Sequence, residues 1–358
     1  MPAARTQRLI QAVLFCAGLS GAAAFAQTQR PSIDSRGTAS VPAFVVPYSA
    51  YASPEAQRQF QQMLEQGRHA PGIGSIAASR AYYDRINTDR ADRMRKIYPV
   101  SIHAETVGGV PTDVVLPAQG IAARQRHRVL INLHGGAFLW GAHSGALVES
   151  VPIASLGRIK VIGIDYRQGP EHVFPAASED VEAVYRALLK QYKPASIGIY
   201  GCSAGGVLTG EAVARLIADK LPVPGAIGTF CGSLVDMAGD SMFVAPLLNG
   251  DPVPEHPLRL GDLPYFKGAR LTDPMVFPGL SPELLRQFPP TLLITGTRDM
   301  ALSAVVRSQN LLSKAGVATE LHVWEGMWHS FFSDPEMPES RQAYETIVRF
   351  FDQHLTRG

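Results

Sequence analysis

Cysteine is scarce: Cys16, Cys202 and Cys231 are the only three in 358 residues, which excludes a scaffold stapled by disulfides. Charge is sparse as well. Charged residues make up 18% of the chain and the formal net charge is +2, too little to point to nucleic acid or an anionic membrane. The expected partner is a small neutral molecule. No internal repeat is visible, so solenoids and propellers are set aside. Long apolar runs are limited to Leu9–Phe25, which Gln11 and Ser20 interrupt and which is marginal for a span of about 20 residues.

That run has another reading. Arg5 and Arg8 precede it and Ala24-Phe25-Ala26 puts small residues at the A-x-A positions, the pattern of a secretory signal over residues 1–26, cleaved near Ala26. Phe15 before Cys16 argues against a lipoprotein site, and there is no Arg-Arg pair for twin-arginine export. The mature chain is expected to be periplasmic or secreted, without an integral membrane span. Cys202 and Cys231 would then sit in a compartment that permits disulfides. They end consecutive expected strands; two buried thiols is the simpler reading, a bond between them the alternative.

What is present is a large apolar fraction, 46%, in an order that alternates strand and helix. Residues 27–54 lack a period and read as a tail. Ser53-Pro54-Glu55 is a helix start, with Phe60, Met63 and Leu64 on one face. A second helix is expected from Ser75 to Met94. Gly72-Ile73-Gly74-Ser75-Ile76-Ala77 matches G-x-G-x-x-A but follows no strand, so a dinucleotide site is rejected. The two helices, with the tail, are assigned to a cap over residues 27–97, ahead of a catalytic domain over 98–358. Strands are expected at Val100–Val107, Asp113–Leu116, Arg128–His134 and Lys160–Asp165, the last two apolar enough for parallel strands buried on both faces. The pattern continues with a helix (Ser178–Tyr192), strands at Ser196–Gly201 and Ala226–Cys231 with a helix between them, a proline-rich insertion at about 235–289 read as a lid, a strand at Thr291–Thr295, a helix (Ala301–Lys314), a strand at Thr319–Trp324 and a last helix (Ser340–Leu355). This is a doubly wound α/β fold with a mostly parallel sheet.

Gly201-Cys202-Ser203-Ala204-Gly205 is a G-x-S-x-G turn between a strand and a helix, a geometry that exposes a serine hydroxyl at the carboxyl edge of the sheet. A serine needs a base and a group to orient that base. Asp299 lies just past a buried strand on the same edge, unlike Asp219, Asp236, Asp240, Asp251, Asp262 and Asp273. His329 likewise follows a strand, whereas His322 sits inside one and His354 on the last helix. His134-Gly135-Gly136-Ala137-Phe138 follows the Arg128–Leu133 strand; the N–H groups of Gly135 and Gly136, with that of Ala204, would form an oxyanion hole. His134 reads as structural. Phe60, Met63 and Phe243 could line an acyl pocket, although plain core is the simpler role.

These motifs, with Asp165-Tyr166-Arg167-Gln168-Gly169-Pro170-Glu171-His172, Phe174-Pro175-Ala176-Ala177, Pro289-Pro290-Thr291-Leu292 and Gly326-Met327-Trp328-His329, resemble the hormone-sensitive-lipase-like branch of the α/β-hydrolase carboxylesterases from about Ser53 onward. The resemblance implies an α/β-hydrolase fold with an N-terminal helical cap, a small acyl-ester substrate of short to medium chain, catalysis by Ser203, Asp299 and His329, and no cofactor. No metal site is expected. It also suggests that Asp165 and Glu171 support the active-site loops. Two positions depart from the family: Cys202 stands where an acid is usual, and Ala137 where a third glycine is usual. An amidase or peptidase using the same triad, or a ligand-binding protein on a hydrolase scaffold, are the alternatives, and an edge strand near the carboxyl end could support a homodimer.

Overall fold

The computed structural model describes residues 30–356 apart from Ile73; the expected leader over 1–26 lies outside them. The chain divides into two compact units at Pro47/Tyr48. In the first, β1 (Ser32–Ile33) pairs antiparallel with β2 (Ala39–Ser40). The Asp34 carboxylate accepts from the N–H groups of Arg36 and Thr38 at 2.9 and 2.8 Å, an Asx turn that closes the hairpin.

The second unit opens with α1 (Pro54–Gly67). Its N-cap Ser53 accepts from the Ala56 N–H at 3.0 Å, and Glu339 accepts from both the Ser53 N–H and hydroxyl at 2.7 and 2.9 Å. There follow α2 (Ile76–Ile97), β3 (Val100–Val107), β4 (Val110–Pro117), β5 (Val129–Leu133), α3 (Gly145–Gly157), β6 (Lys160–Ile164), α4 (Ala176–Leu188), β7 (Ile197–Cys202), α5 (Ala204–Ala218), β8 (Ala226–Phe230), α6 (Ser241–Leu248), α7 (Pro282–Leu285), β9 (Thr291–Arg298), α8 (Leu302–Lys314), β10 (Thr319–Trp328) and α9 (Pro338–His354). The eight-stranded sheet runs β10-β9-β8-β7-β5-β6-β4-β3. It is parallel from β10 to β6, while β4 and β3 join antiparallel through the Gly108-Gly109 hairpin.

From β5 the chain moves one way to β6, then crosses back to place β7 on the other side of β5, with Leu133 beside Gly201. The crossover makes a switch point, where loops leaving the carboxyl ends diverge and open a crevice. The loops after β5 and β7 therefore meet there, and those after β9 and β10 approach from the same edge. One apolar core lies on the face covered by α4, α5 and α8, the other on the face covered by α3 and α9.

Several elements differ from expectation: the stretch read as a tail carries the β1–β2 hairpin, and α6 and α7 form within the insertion. Helix α3 was not foreseen: it is apolar on nearly every side, with Pro152 inside it, so it lacks the amphipathic period that marks a surface helix. β9 and β10 each run three or four residues further than the apolar pattern suggested, the latter through an irregularity between Trp324 and Trp328. The 235–289 insertion packs firmly in part: Tyr265 and Phe266 are buried, and Tyr265 stacks on Phe138 at 4.5 Å. Phe60 is core, 5.6 Å from the Trp328 ring, whereas Phe243 is solvent-exposed on α6.

Candidate active site

β7 ends at Cys202 and α5 begins at Ala204, leaving Ser203 alone in the turn with φ +57° and ψ −120°. That conformation is unfavourable for any residue with a Cβ, and it is imposed by the close approach of β5. A Cβ on Gly205 would lie 1.7 Å from the Leu133 carbonyl oxygen, and one on Gly201 2.3 Å from the same atom. Only glycine on both sides lets the turn form against that strand. The Ser203 N–H donates to the Phe230 carbonyl at 2.7 Å, which pins the turn to β8.

His329 follows β10 and Asp299 follows β9. The imidazole Nδ1 is 2.7 Å from Asp299 Oδ1 and its Nε2 is 2.9 Å from Ser203 Oγ. An ionised carboxylate can only accept, so Nδ1 carries the proton and Nε2 presents its lone pair to the serine hydroxyl. Asp299 is fully buried. Burial alone would raise its pKa, but the charge and hydrogen bond of His329, the Ala301 N–H and the Thr295 hydroxyl hold it below the ordinary value. For His329 burial works downward, and attraction to Asp299 outweighs it, so the imidazolium pKa is raised. Sequence reasoning named these three residues; the fold brings them into one hydrogen-bonded line.

The loop after β5 lies directly against the serine: a Cβ on Gly135 would be 3.1 Å from the Cys202 carbonyl and 3.3 Å from Ser203 Cβ. At Gly136 φ is +120° and a Cβ would strike the Trp140 carbonyl at 2.0 Å. Ala137 and Phe138 also take positive φ, +53° and +60°, so Ala137 accepts a strained conformation where glycine would be relaxed, at about 1 kcal/mol. The Leu139 and Trp140 N–H groups both donate to the Gly136 carbonyl and fix the turn. Ala204 opens α5, and a first-turn N–H has no acceptor inside its helix.

His134 is buried and stacked on Tyr166 at 4.2 Å. Its Nδ1 is 2.7 Å from the Gly135 carbonyl, which can only accept, so the proton sits on Nδ1. Burial keeps the ring neutral. Asp165 meets Nδ1 of the exposed His143 at 2.9 Å. Glu171 pairs with Arg80 at 2.7 and 2.8 Å, and the same guanidinium donates to the Leu139 and Gly169 carbonyls at 2.8 Å. Arg80 thus clamps α2 to the two loops flanking the site; one arginine among several on a mixed-charge helix carries no signal of this in the sequence. A cavity of about 500 Å³ lies beside the clamp, lined by Arg80, Trp140, His143, Gln168 and Glu171 among others, and its lining does not include Ser203.

Cys202 and Cys231 are both buried thiols. Cys202 Sγ is 2.9 Å from Ser330 Oγ, and the Ser330 N–H points at Cys231 Sγ at 3.3 Å, so the pair packs under the residue following His329. Burial raises the pKa of each. Cys231, Asp299 and His329 place donor atoms within 4.8 Å of one another, the only such metal-capable set among the described residues. Its Asp299 and His329 members are already hydrogen-bonded to each other. No helix among the described residues is long and apolar enough to cross a membrane.

Residues 130–333 match the family described as alpha/beta hydrolase fold. An acetyl-hydrolase of Streptomyces hygroscopicus is 28% identical over 84% of this chain and 96% of its own length, and an esterase of Acinetobacter venetianus is 28% identical over 72% and 86%. Among solved structures, esterase E25 superposes with a TM-score of 0.75 at 31% identity, covering 88% of this chain and 99% of its own. An esterase from the bacterial hormone-sensitive lipase family superposes with a TM-score of 0.74 at 27% identity, covering 85% and 99%. With a serine turn, a buried carboxylate–imidazole pair and a glycine loop converging on one sheet edge, the chain belongs to the hormone-sensitive-lipase-like α/β hydrolases and is a carboxylic ester hydrolase.

Proposed function

We propose that hydrolysis proceeds through an acyl-enzyme on Ser203. As Ser203 Oγ bonds to the ester carbonyl carbon, its proton passes to His329 Nε2, and Asp299 balances the charge that develops on the imidazole. The carbonyl oxygen, now anionic, takes hydrogen bonds from the N–H groups of Gly135, Gly136 and Ala204. Collapse breaks the bond to the alcohol, which leaves with the proton from Nε2. Water then attacks the acyl carbon, giving a proton to Nε2; expulsion of Ser203 Oγ takes that proton back and frees the acid.

The observation that carries this reading is the unbroken line Ser203 Oγ–His329–Asp299 at 2.9 and 2.7 Å. Short to medium acyl esters are the proposed substrates, supported by relatives described as acetyl-hydrolase and esterase. Helices α1 and α2 are assigned to the cap, since α2 walls the cavity beside the site and Arg80 ties it to the loops. Export is proposed from the pattern of Arg5, Arg8 and Ala24-Phe25-Ala26; a secreted protein whose first residue is not near Gln27 would count against it.

The test is Ser203→Ala assayed on acetyl, butyryl and octanoyl esters of one phenol. Loss of on the order of 10⁴-fold or more is expected, and near-native turnover by the variant would overturn the assignment. A rate that keeps climbing to the hexadecanoyl ester of the same phenol would overturn the short-to-medium preference.

A further inference from the structure

The register between β9 and β10 breaks just before His329. Trp324 pairs with Gly296 and Trp328 with Arg298, so Glu325, Gly326 and Met327 stand opposite Thr297 alone. A bulge leaves its extra residues without regular ladder partners, and other groups have to fix the direction in which the chain leaves it. The next residue after Trp328 is His329.

Side chains hold this bulge. The Gly326 N–H donates to Thr297 Oγ1 at 2.8 Å, and the Gly326 carbonyl accepts from the Tyr48 hydroxyl at 3.1 Å. Gly326 has φ +78°, and a Cβ there would lie 3.0 Å from Ser49 Cβ and 3.4 Å from Ala52 Cβ. A side chain would both strain the backbone and crowd the stretch that leads into α1. The Tyr48 ring is fixed in its turn: it lies 5.0 Å from the Phe60 ring, and the Arg298 guanidinium stands 4.6 Å from its centroid and 5.0 Å from that of Phe60. Arg298 is buried and donates to the Leu248 carbonyl at 2.8 Å, while its own carbonyl accepts from the Asn249 side chain at 3.0 Å. One tyrosine thus touches the residue before Asp299 and the bulge before His329.

We propose that Tyr48 is a positioning residue for catalysis, its hydroxyl holding the β10 bulge where His329 meets Asp299 and Ser203. The inference rests on the triad reading above. Tyr48 touches no reacting atom and acts through Gly326. Its hydroxyl keeps its proton throughout the assay range, because burial pushes its pKa up to about 12, with Arg298 pulling down and Glu339 pushing up. The productive placement can lose no more than the free energy of the bond removed, a factor of about ten at most for a neutral hydrogen bond.

The experiment measures kcat and KM for an acetyl ester across pH in the wild type, Tyr48→Phe, Thr297→Val and Tyr51→Phe. Tyr48→Phe keeps the ring against Arg298 and Phe60 and removes the hydroxyl alone; kcat should fall about fivefold with KM unchanged. The ionisable groups packed near His329 are Asp299 after β9 and the thiols of Cys202 on β7 and Cys231 after β8, both under Ser330. Asp299 is the one that raises the His329 pKa, so a looser pair should carry the acidic limb of kcat/KM to lower pH. Thr297→Val frees the Gly326 N–H from the β9 side and should move kcat and the limb the same way; it keeps the proposal testable where Tyr48→Phe folds poorly. Tyr51 is 90% exposed, and its variant should match the wild type. A lower Tm with kcat and limb unchanged, or a lower kcat with the limb unmoved, would overturn the proposal. Labelling by a fluorophosphonate separates the two readings: a wild type whose Ser203 fails to label would condemn the triad itself, whereas a labelled wild type with an unaffected Tyr48→Phe would condemn only the role of Tyr48.

Discussion

Asp299→Asn is the substitution whose size the geometry determines most closely. Asp299 Oδ1 accepts from the Ala301 N–H at 2.8 Å and lies 2.7 Å from His329 Nδ1, while Oδ2 accepts from the Thr295 hydroxyl at 2.8 Å. In asparagine one of these atoms becomes an NH₂ group. A backbone N–H cannot reverse, but a hydroxyl can rotate to accept, so the amide oxygen should occupy the Oδ1 position and the NH₂ should face Thr295. His329 then keeps an acceptor for its Nδ1 proton, and Nε2 stays available to the serine. What disappears is the charge. Two unit charges about 4 Å apart at an effective dielectric constant of about 20 attract by about 4 kcal/mol, so loss of the carboxylate should slow the step that forms the imidazolium by roughly a thousandfold. This is milder than the loss of about 10⁴ seen in serine proteases when the equivalent change reverses the tautomer. The assay is kcat/KM against pH on an activated acetyl ester. Because Asp299 raises the His329 pKa, the acidic limb of the wild type should fall above 6.5 and should move down in the variant. A loss under tenfold would refute the role of Asp299, and a loss of 10⁴ with the acidic limb unmoved would refute the argument that the oxygen stays in place.

Arg80→Ala removes two charged hydrogen bonds to the Leu139 and Gly169 carbonyls and should cost about 2–3 kcal/mol in denaturant unfolding; the ion pair with Glu171 is too exposed to add much. The pair should nonetheless be visible against pH. Its hydrogen bonds with Arg80 lower the Glu171 pKa from 4.5 to about 2, so its contribution is present above pH 4.5 and lost as pH falls toward 2. The stability gap between wild type and variant should narrow across that window, and a constant gap would show that Glu171 is not coupled to Arg80. In the mature protein, denaturation without reductant should release two thiols that react slowly in the native state; none would mean that Cys202 and Cys231 are bonded. Cys202→Asp, which restores the acid common in the family, should destabilise this chain by about 3–5 kcal/mol, since it sets a carboxyl with no cationic partner into a buried site that already feels Glu149 and Asp299. An unchanged Tm would refute that.

The site was more legible than the scaffold around it. Ser203, Asp299 and His329 could each be read from their position just past a buried strand, because a parallel sheet sends every such residue to one edge. The glycines around Ser203 were legible for a related reason: their lack of a side chain is what the Leu133 carbonyl demands. The residues that support the site left no such mark. Arg80 is one cation among many on a mixed-charge helix, and its role exists only once the loops holding Leu139 and Gly169 arrive beneath it. Glu149 lies in α3, whose uniform burial removes the period by which helices are recognised.

Cys202 and Glu149 are best understood together. An acid at position 202 would stand at the end of β7, in the same buried ground that Glu149 enters from α3, where the charge of Glu149 acts on Cys202. Two carboxyl groups in that space would repel one another and drive both pKa values up. With a thiol at position 202 the space holds one acid, and that acid accepts from the Asn132 side chain on β5 at 2.8 Å.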